Sequence, residues 1–262
     1  MIKKTRYFKH PILVSFVSVF ILLVISILLA TTSQSVFELD VWINEVLYSV
    51  QNALLTRIFI WITLLGKVMF VFGGAVIASI IFWFWHKRLY IAPLWVTLIG
   101  SEGFILVAKL VFHRPRPEFY YFIEQGFSFP SGHATIATVF YGFLLYVLLS
   151  ETISTAMHRS NRSGDNTGFR GIIALKLTFL ILAIGFSRLY LGVHYFSDVW
   201  VGHLSGLLFL IFAIGFTESQ KSPQQIATKK HIPQMTKVLT VFLILVYLAI
   251  YVSFVTQYQL EL

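Results

Sequence analysis

Long apolar runs separated by short polar stretches set the plan of this 262-residue chain. A membrane-crossing helix needs about 20 mainly apolar residues. Such runs occur at 11–30, 58–85, 89–111, 131–150, 171–190, 198–217 and 238–258. The first follows a basic start (Lys3, Lys4, Arg6, Lys9) and exceeds the roughly 7–15 apolar residues of a signal-peptide core. It is therefore predicted to remain as an uncleaved span with its N-terminus in the cytoplasm. Residues 35–57 differ in kind. Leu39, Ile43, Val46, Val50 and Ala53 recur at helical spacing with Glu38, Asp40, Glu45 and Asn52 between them, which predicts an amphipathic helix at the outer interface. The expected fold is all-α: a polytopic membrane helical bundle with a six-span core, a seventh C-terminal span and that interfacial helix. The chain divides into 1–57 (first span and interfacial helix), 58–217 (core) and 218–262 (basic linker and last span).

Composition agrees with the pattern. Apolar residues make up 57% and charged residues 12%, against about 25% charged in a soluble domain. A net charge of +9 suits nucleic acid or an anionic membrane surface, so the location of the charges decides between them. They lie between spans, and the expected partner is the lipid bilayer, with no nucleic acid. Most of the 20 lysines and arginines fall in segments that an alternating path places in the cytoplasm, as the positive-inside rule requires. Lys67, inside the second span, is expected to snorkel from near its end. Glu102, two turns from Lys109 and about 10 Å away, is too far to pair with it directly. Gly202 and Gly206 have the spacing of a close helix contact. The aromatic stretch 118–129 belongs at a membrane–water interface, and the polar loop 151–170 is predicted to be disordered. With no cysteine, neither a disulfide framework nor a thiolate metal site is available.

The cations on the disfavoured side carry the chemistry. Lys109, Arg114, Arg116 and Arg188 sit with His133, His194 and Asp198 at the outer ends of spans three to six. A point-charge lysine together with planar arginine forks suits a tetrahedral oxyanion such as phosphate. Pro130-Ser131-Gly132-His133 opens a long helix: Ser131 is a good N-cap, Gly132 lets a ligand approach the backbone, and the first free N–H groups favour an anion. Two imidazoles beside such a site can divide the work of phosphoryl transfer, one attacking phosphorus and the other protonating the departing oxygen. Asp198, four residues after His194, can accept from one imidazole nitrogen and leave the other free.

Three blocks then identify a resemblance. Lys109-Leu-Val-Phe-His-Arg-Pro-Arg116-Pro117, Pro130-Ser-Gly-His133 and Ser187-Arg188-Leu-Tyr-Leu-Gly-Val-His194-Tyr-Phe-Ser-Asp198 match, in order and spacing, the three motifs of the type 2 phosphatidic acid phosphatase superfamily. These are membrane lipid phosphatases that share a pocket with vanadium haloperoxidases, and in layout the chain is most similar to bacterial phosphatidylglycerophosphatase B-like and undecaprenyl-diphosphatase enzymes. The resemblance implies that Lys109, Arg116, Ser131, Gly132 and Arg188 hold phosphate. It makes His194 the nucleophile that becomes a phosphohistidine, Asp198 its orienting carboxylate and His133 the acid for the leaving group. No metal and no cofactor are implied, and no role passes to Arg114 or His113, which lie in the variable part of the first block. The expected activity is hydrolysis of a lipid phosphomonoester or diphosphate at the outer face of a bacterial plasma membrane. The alternatives are a lipid phosphotransferase with the same site, or an anion-binding transporter. The seventh apolar run departs from the six-span core of the family.

Overall fold

Lipid offers the backbone no hydrogen-bond partners, so a chain built from apolar runs must satisfy its amides internally, and here it does so with helices. The structure, a computed structural model, describes residues 3–118, 121, 124–157, 166–221 and 233–260. Among them are nine α-helices: α1 (Lys3–Thr32), α2 (Gln34–Ser49), α3 (Ala53–Leu64), α4 (Val68–Phe84), α5 (Ile91–Phe112), α6 (Gly132–Met157), α7 (Asn166–Tyr190), α8 (Phe196–Gln220) and α9 (Gln234–Leu260). Six of these are long and apolar enough to cross a membrane, and α3 with α4 makes a further candidate bent by 47°.

The bundle is organised around α6. Its Ile136, Ala137, Val139 and Phe143 are wholly buried against Val71 and Ala75 of α4, Leu94 and Leu98 of α5, and Ile184 of α7. On α8, a Cβ at Gly202 would stand 2.7 Å from the Ser131 carbonyl oxygen, and one at Gly206 2.7 Å from that of Thr135. The two backbones touch at both glycines, the close contact that their spacing predicts. Thr135 Oγ1 uses this proximity to donate to the Gly202 carbonyl at 3.0 Å. The outward faces of α1 and α9 present Leu13, Val14, Phe20, Val241, Phe242 and Leu245, a surface suited to acyl chains.

The apolar run 58–85 is not one straight helix. At Leu65, Gly66 and Lys67 the backbone tightens into i→i+3 hydrogen bonds, and Tyr141 Oη donates to the Leu65 carbonyl at 2.9 Å. Gly66 fits there because a Cβ would lie 2.5 Å from Ile184 Cγ2. Lys67 therefore sits at a mid-run break rather than near a span end, with its ammonium 5.1 Å from the Phe254 ring centroid.

Residues 35–57 also differ from expectation. They form two helices, parted where the Asn52 side chain accepts from Leu55 N–H and caps α3. The inward face of α2 is polar: Asp40 and Asn44 are buried, whereas Leu39, Trp42 and Val46 are exposed. Of the 151–170 loop, residues 151–157 extend α6 and 166–170 begin α7, and the remainder lies outside the described residues, as do Phe119, Tyr120 and Phe122. The last apolar run packs antiparallel to α4. Trp85 donates to Thr240 Oγ1 at 2.9 Å at one end, and Tyr247 Oη to the Phe70 carbonyl at 2.7 Å nearer the other.

Candidate active site

Three chain segments far apart in sequence are joined at one end of the bundle by main-chain hydrogen bonds. Ser131 N–H donates to the Asp198 carbonyl at 3.0 Å, tying the start of α6 to the first turn of α8. Ser128 N–H donates to the Arg114 carbonyl at 2.9 Å, fixing the segment after α5 beside the entry to α6. The α5 helix ends at His113, which takes the left-handed conformation (φ 47°) and turns the chain toward Arg114. Lys109 occupies the last turn of α5, Arg188 the last turn of α7, and His194 the short connection to α8.

These placements gather the predicted site residues. The His194 imidazole is buried, with Nδ1 3.4 Å from Asp198 Oδ2 and Nε2 3.4 Å from Arg116 Nη1. A guanidinium only donates, so this contact requires the lone pair at Nε2 and leaves the ring proton on Nδ1, facing the carboxylate. Burial, and then the charges of Arg188, Arg116, Lys109 and His133, push the His194 pKa well below the usual imidazole value. The ring is consequently neutral at neutral pH. Arg116 also donates from Nη1 to the Val193 carbonyl at 2.7 Å and from Nε to the Gly126 carbonyl at 3.0 Å. Burial lowers its pKa, and the charge of Asp198 opposes that shift. Arg188 is buried and donates from Nη1 to Thr63 Oγ1 at 2.8 Å. Glu124 lies between the two arginines: its Oε2 accepts from Arg188 Nη2, and its Oε1 is 3.6 Å from Arg116 Nη2. Ser131 Oγ is buried with no hydrogen-bond partner among the described residues. Gly132 opens α6, and the broken run abuts His133, since a Cβ at Gly66 would lie 3.3 Å from its Cδ2.

Behind His194 is a clamp that the sequence reading did not assign. Arg114 Nη1 donates to Asp198 Oδ1 at 2.8 Å and to Ser197 Oγ at 2.6 Å, while Nη2 donates to Asp40 Oδ2 at 2.8 Å. Asp40 reaches across from α2 to accept from Ser197 N–H at 2.8 Å and Ser197 Oγ at 2.5 Å, satisfying a first-turn amide of α8. Asp198 Oδ2 accepts from Tyr195 N–H at 2.9 Å, so this carboxylate both caps its own helix and faces the nucleophile candidate. The Arg114 guanidinium stacks 4.6 Å from the Tyr195 ring centroid.

With this geometry in place, comparison with known proteins decides the family. The sequence profile of the PAP2 superfamily matches residues 90–222, which include all three blocks. The chain belongs to the PAP2 superfamily. It is similar to phosphatidylglycerophosphatase B of Bacillus subtilis, with 28% identity over 198 residues that cover 75% of this chain and 92% of that protein. The crystal structure of a transmembrane PAP2-type phosphatidylglycerolphosphate phosphatase from Bacillus subtilis superposes with a TM-score of 0.69 at 26% identity, covering 80% of this chain and 98% of that one. Aquifex aeolicus LpxE shares the fold, with a TM-score of 0.52 at 22% identity over 68% of this chain and 95% of that one. This PAP2 chain is thus a multi-pass membrane protein and a membrane lipid phosphatase. Asp40 and Thr63, which complete the surroundings of Asp198 and Arg188, come from outside the matched segment.

Proposed function

We propose that this PAP2 chain hydrolyses a phosphomonoester or diphosphate of a membrane lipid through a phosphohistidine on His194. The observation that carries the reading is the imidazole held between a carboxylate at Nδ1 and a guanidinium at Nε2, which presents a neutral nitrogen to the cationic cluster. In this mechanism Nε2 attacks phosphorus and the bond to the leaving-group oxygen breaks. That oxygen takes its electron pair and a proton from His133. Water then attacks the phosphohistidine and gives a proton back to His133, the P–N bond returns its electrons to Nε2, and inorganic phosphate departs. Lys109, Arg116 and Arg188 offset charge on the phosphoryl oxygens, while Ser131 Oγ and the first amides of α6 donate to them.

The coverage of the Bacillus subtilis phosphatidylglycerophosphatase B favours phosphatidylglycerophosphate as the first substrate to test, with phosphatidic acid and undecaprenyl diphosphate beside it. Purified protein in detergent is expected to release phosphate from at least one of the three and to retain that activity in excess chelator, because side-chain cations serve the role a metal would take. Release from none would overturn the proposal, and loss in chelator restored by a divalent ion would overturn its metal-free chemistry.

Two glycines separate folding from phosphate binding. A methyl at Gly132 would meet only Ile105, at an ordinary 3.6 Å. Gly132→Ala is expected to leave the thermal midpoint unchanged and raise the inhibition constant of inorganic phosphate. A methyl at Gly202 would press on Ser131 O at 2.7 Å and Ala134 Cβ at 3.1 Å. Gly202→Ala should cost about 1–3 kcal/mol and displace the start of α6, lowering both stability and kcat/KM. Inhibition by phosphate that is unaltered in Gly132→Ala would remove Gly132 from the binding site.

The charge pattern supports an orientation with the site end on the outer face of a bacterial plasma membrane. Ser49, exposed at the end of α2, and Ser219, exposed at the far end of α8, test this in a chain without cysteine. An impermeant thiol reagent applied to intact cells should label Ser49→Cys and spare Ser219→Cys; the reverse pattern inverts the orientation.

A further inference from the structure

The two arginines that the proposed function gives to phosphate are already bridged by an anion of the protein itself. Glu124 accepts from Arg188 Nη2 with one carboxylate oxygen and holds the other 3.6 Å from Arg116 Nη2. Arg116 holds its Nη1 3.4 Å from His194 Nε2, so the carboxylate occupies guanidiniums that the proposed function assigns to the phosphoryl group beside that ring. The arginines have holds that are independent of Glu124. Arg116 is fixed by the carbonyls of Val193 and Gly126, and Arg188 by Thr63 Oγ1. Glu124 is tethered differently: its side chain is 27% exposed, and the backbone just beyond it, at Gln125, Gly126 and Phe127, is anchored through carbonyls to Arg116. Rotation of one side chain therefore withdraws the carboxylate from both guanidiniums without disturbing either anchor.

Resting on the phosphatase reading of this site, we propose that Glu124 is an internal competing anion that weakens the binding of free inorganic phosphate and so limits inhibition by the product. Any incoming anion must displace the carboxylate and loses the same factor in affinity. A lipid substrate offsets that loss with its acyl portion and its concentration in the bilayer. Inorganic phosphate has nothing further to offer, and after hydrolysis the returning carboxylate favours its departure. Glu124 takes no part in bond making or breaking; it acts through the arginines that touch the phosphate.

The sign of one measurement separates this role from a structural one. A glutamate that merely braced the arginines would, once replaced, leave them slack and weaken phosphate binding. A competing anion, once replaced, strengthens it. Glu124→Gln in the full-length protein in detergent is expected to bind inorganic phosphate about 10-fold more tightly or better, the scale of hydrogen bonds to charged groups. Binding is read by titrating phosphate against thermal stabilisation, which needs no turnover, and by phosphate inhibition of phosphatidylglycerophosphate hydrolysis. Glu124→Ala, which introduces no amide, must shift in the same direction, and the melting of both variants without phosphate checks their folding. Affinity that is unchanged or weaker in either folded variant overturns the proposal. Tighter phosphate binding in variants of a protein that hydrolyses none of the lipid phosphates would leave the competing role standing and remove the phosphatase reading instead.

Discussion

His194→Ala is expected to abolish hydrolysis of every lipid phosphate the protein accepts, whereas His133→Ala should sort substrates by their leaving group. In the proposed mechanism His194 attacks phosphorus whatever is attached to it. His133 matters in proportion to how badly the departing oxygen needs a proton. A phosphomonoester expels an alkoxide comparable to hydroxide, whose conjugate acid has a pKa of about 15.7. A diphosphate expels a lipid phosphate, whose second pKa is about 6. A general acid contributes roughly 10²–10⁴-fold where it is needed, so His133→Ala should slow monoester hydrolysis by about that factor and diphosphate hydrolysis by less. Single-turnover rates on phosphatidic acid and undecaprenyl diphosphate make the comparison, since they separate chemistry from phosphate release. Equal losses on the two would exclude His133 as the leaving-group acid, and appreciable turnover by His194→Ala would exclude the phosphohistidine.

The largest effect on stability should come from Arg114→Met. Asp40 and Asp198 are buried at 1% and 0% exposure, and one guanidinium serves both. Removing it leaves two carboxylates facing each other without a cation, and breaking a buried pair costs about 3–5 kcal/mol. The variant should unfold at a markedly lower temperature in detergent and lose activity in step, because Asp198 also orients His194. Arg114→Lys keeps the charge but cannot form the fork that reaches both acids, so it should fall between. Adding Asp40→Asn to Arg114→Met should recover part of the stability by removing one uncompensated charge. A loss below about 1 kcal/mol in Arg114→Met would mean that the clamp is not what holds Asp198.

How much of this was legible depended on what each residue's neighbours in sequence reveal. The spans were readable because runs such as 89–111 and 198–217 are long and apolar, and α5 and α8 follow them closely. The three blocks were readable because their spacing is fixed by local turns: His194 and Asp198 share one loop-to-helix junction, and Ser131 and His133 one helix start. Asp40 was hidden by an inverted rule. An apolar stripe on a helix faces the core in water, whereas lipid accepts Leu39 and Val46 on the outside and leaves the inward face to Asp40. The break at Gly66 was masked by the apolar residues on either side, since its cause is Ile184 and Tyr141, more than 70 residues away in the chain. Arg114 was legible only as a cation on the disfavoured side, without a role, and Glu124 carried no local signal. Their roles come from partners on α2, α7 and α8, and only the fold brings those together.

The reach of α2 and α3 into the site bears on how such a protein can be divided. Residues 90–222, grafted alone into another membrane scaffold, would carry all three motifs and still lack Asp40 against Arg114 and Ser197, and Thr63 against Arg188. A chimaera joined after α1 keeps these contacts, while one joined at Tyr90 severs them. Exchange of the motif-bearing segment of this chain should therefore succeed only when its N-terminal helices travel with it, and its working unit is larger than the segment by which the family is recognised.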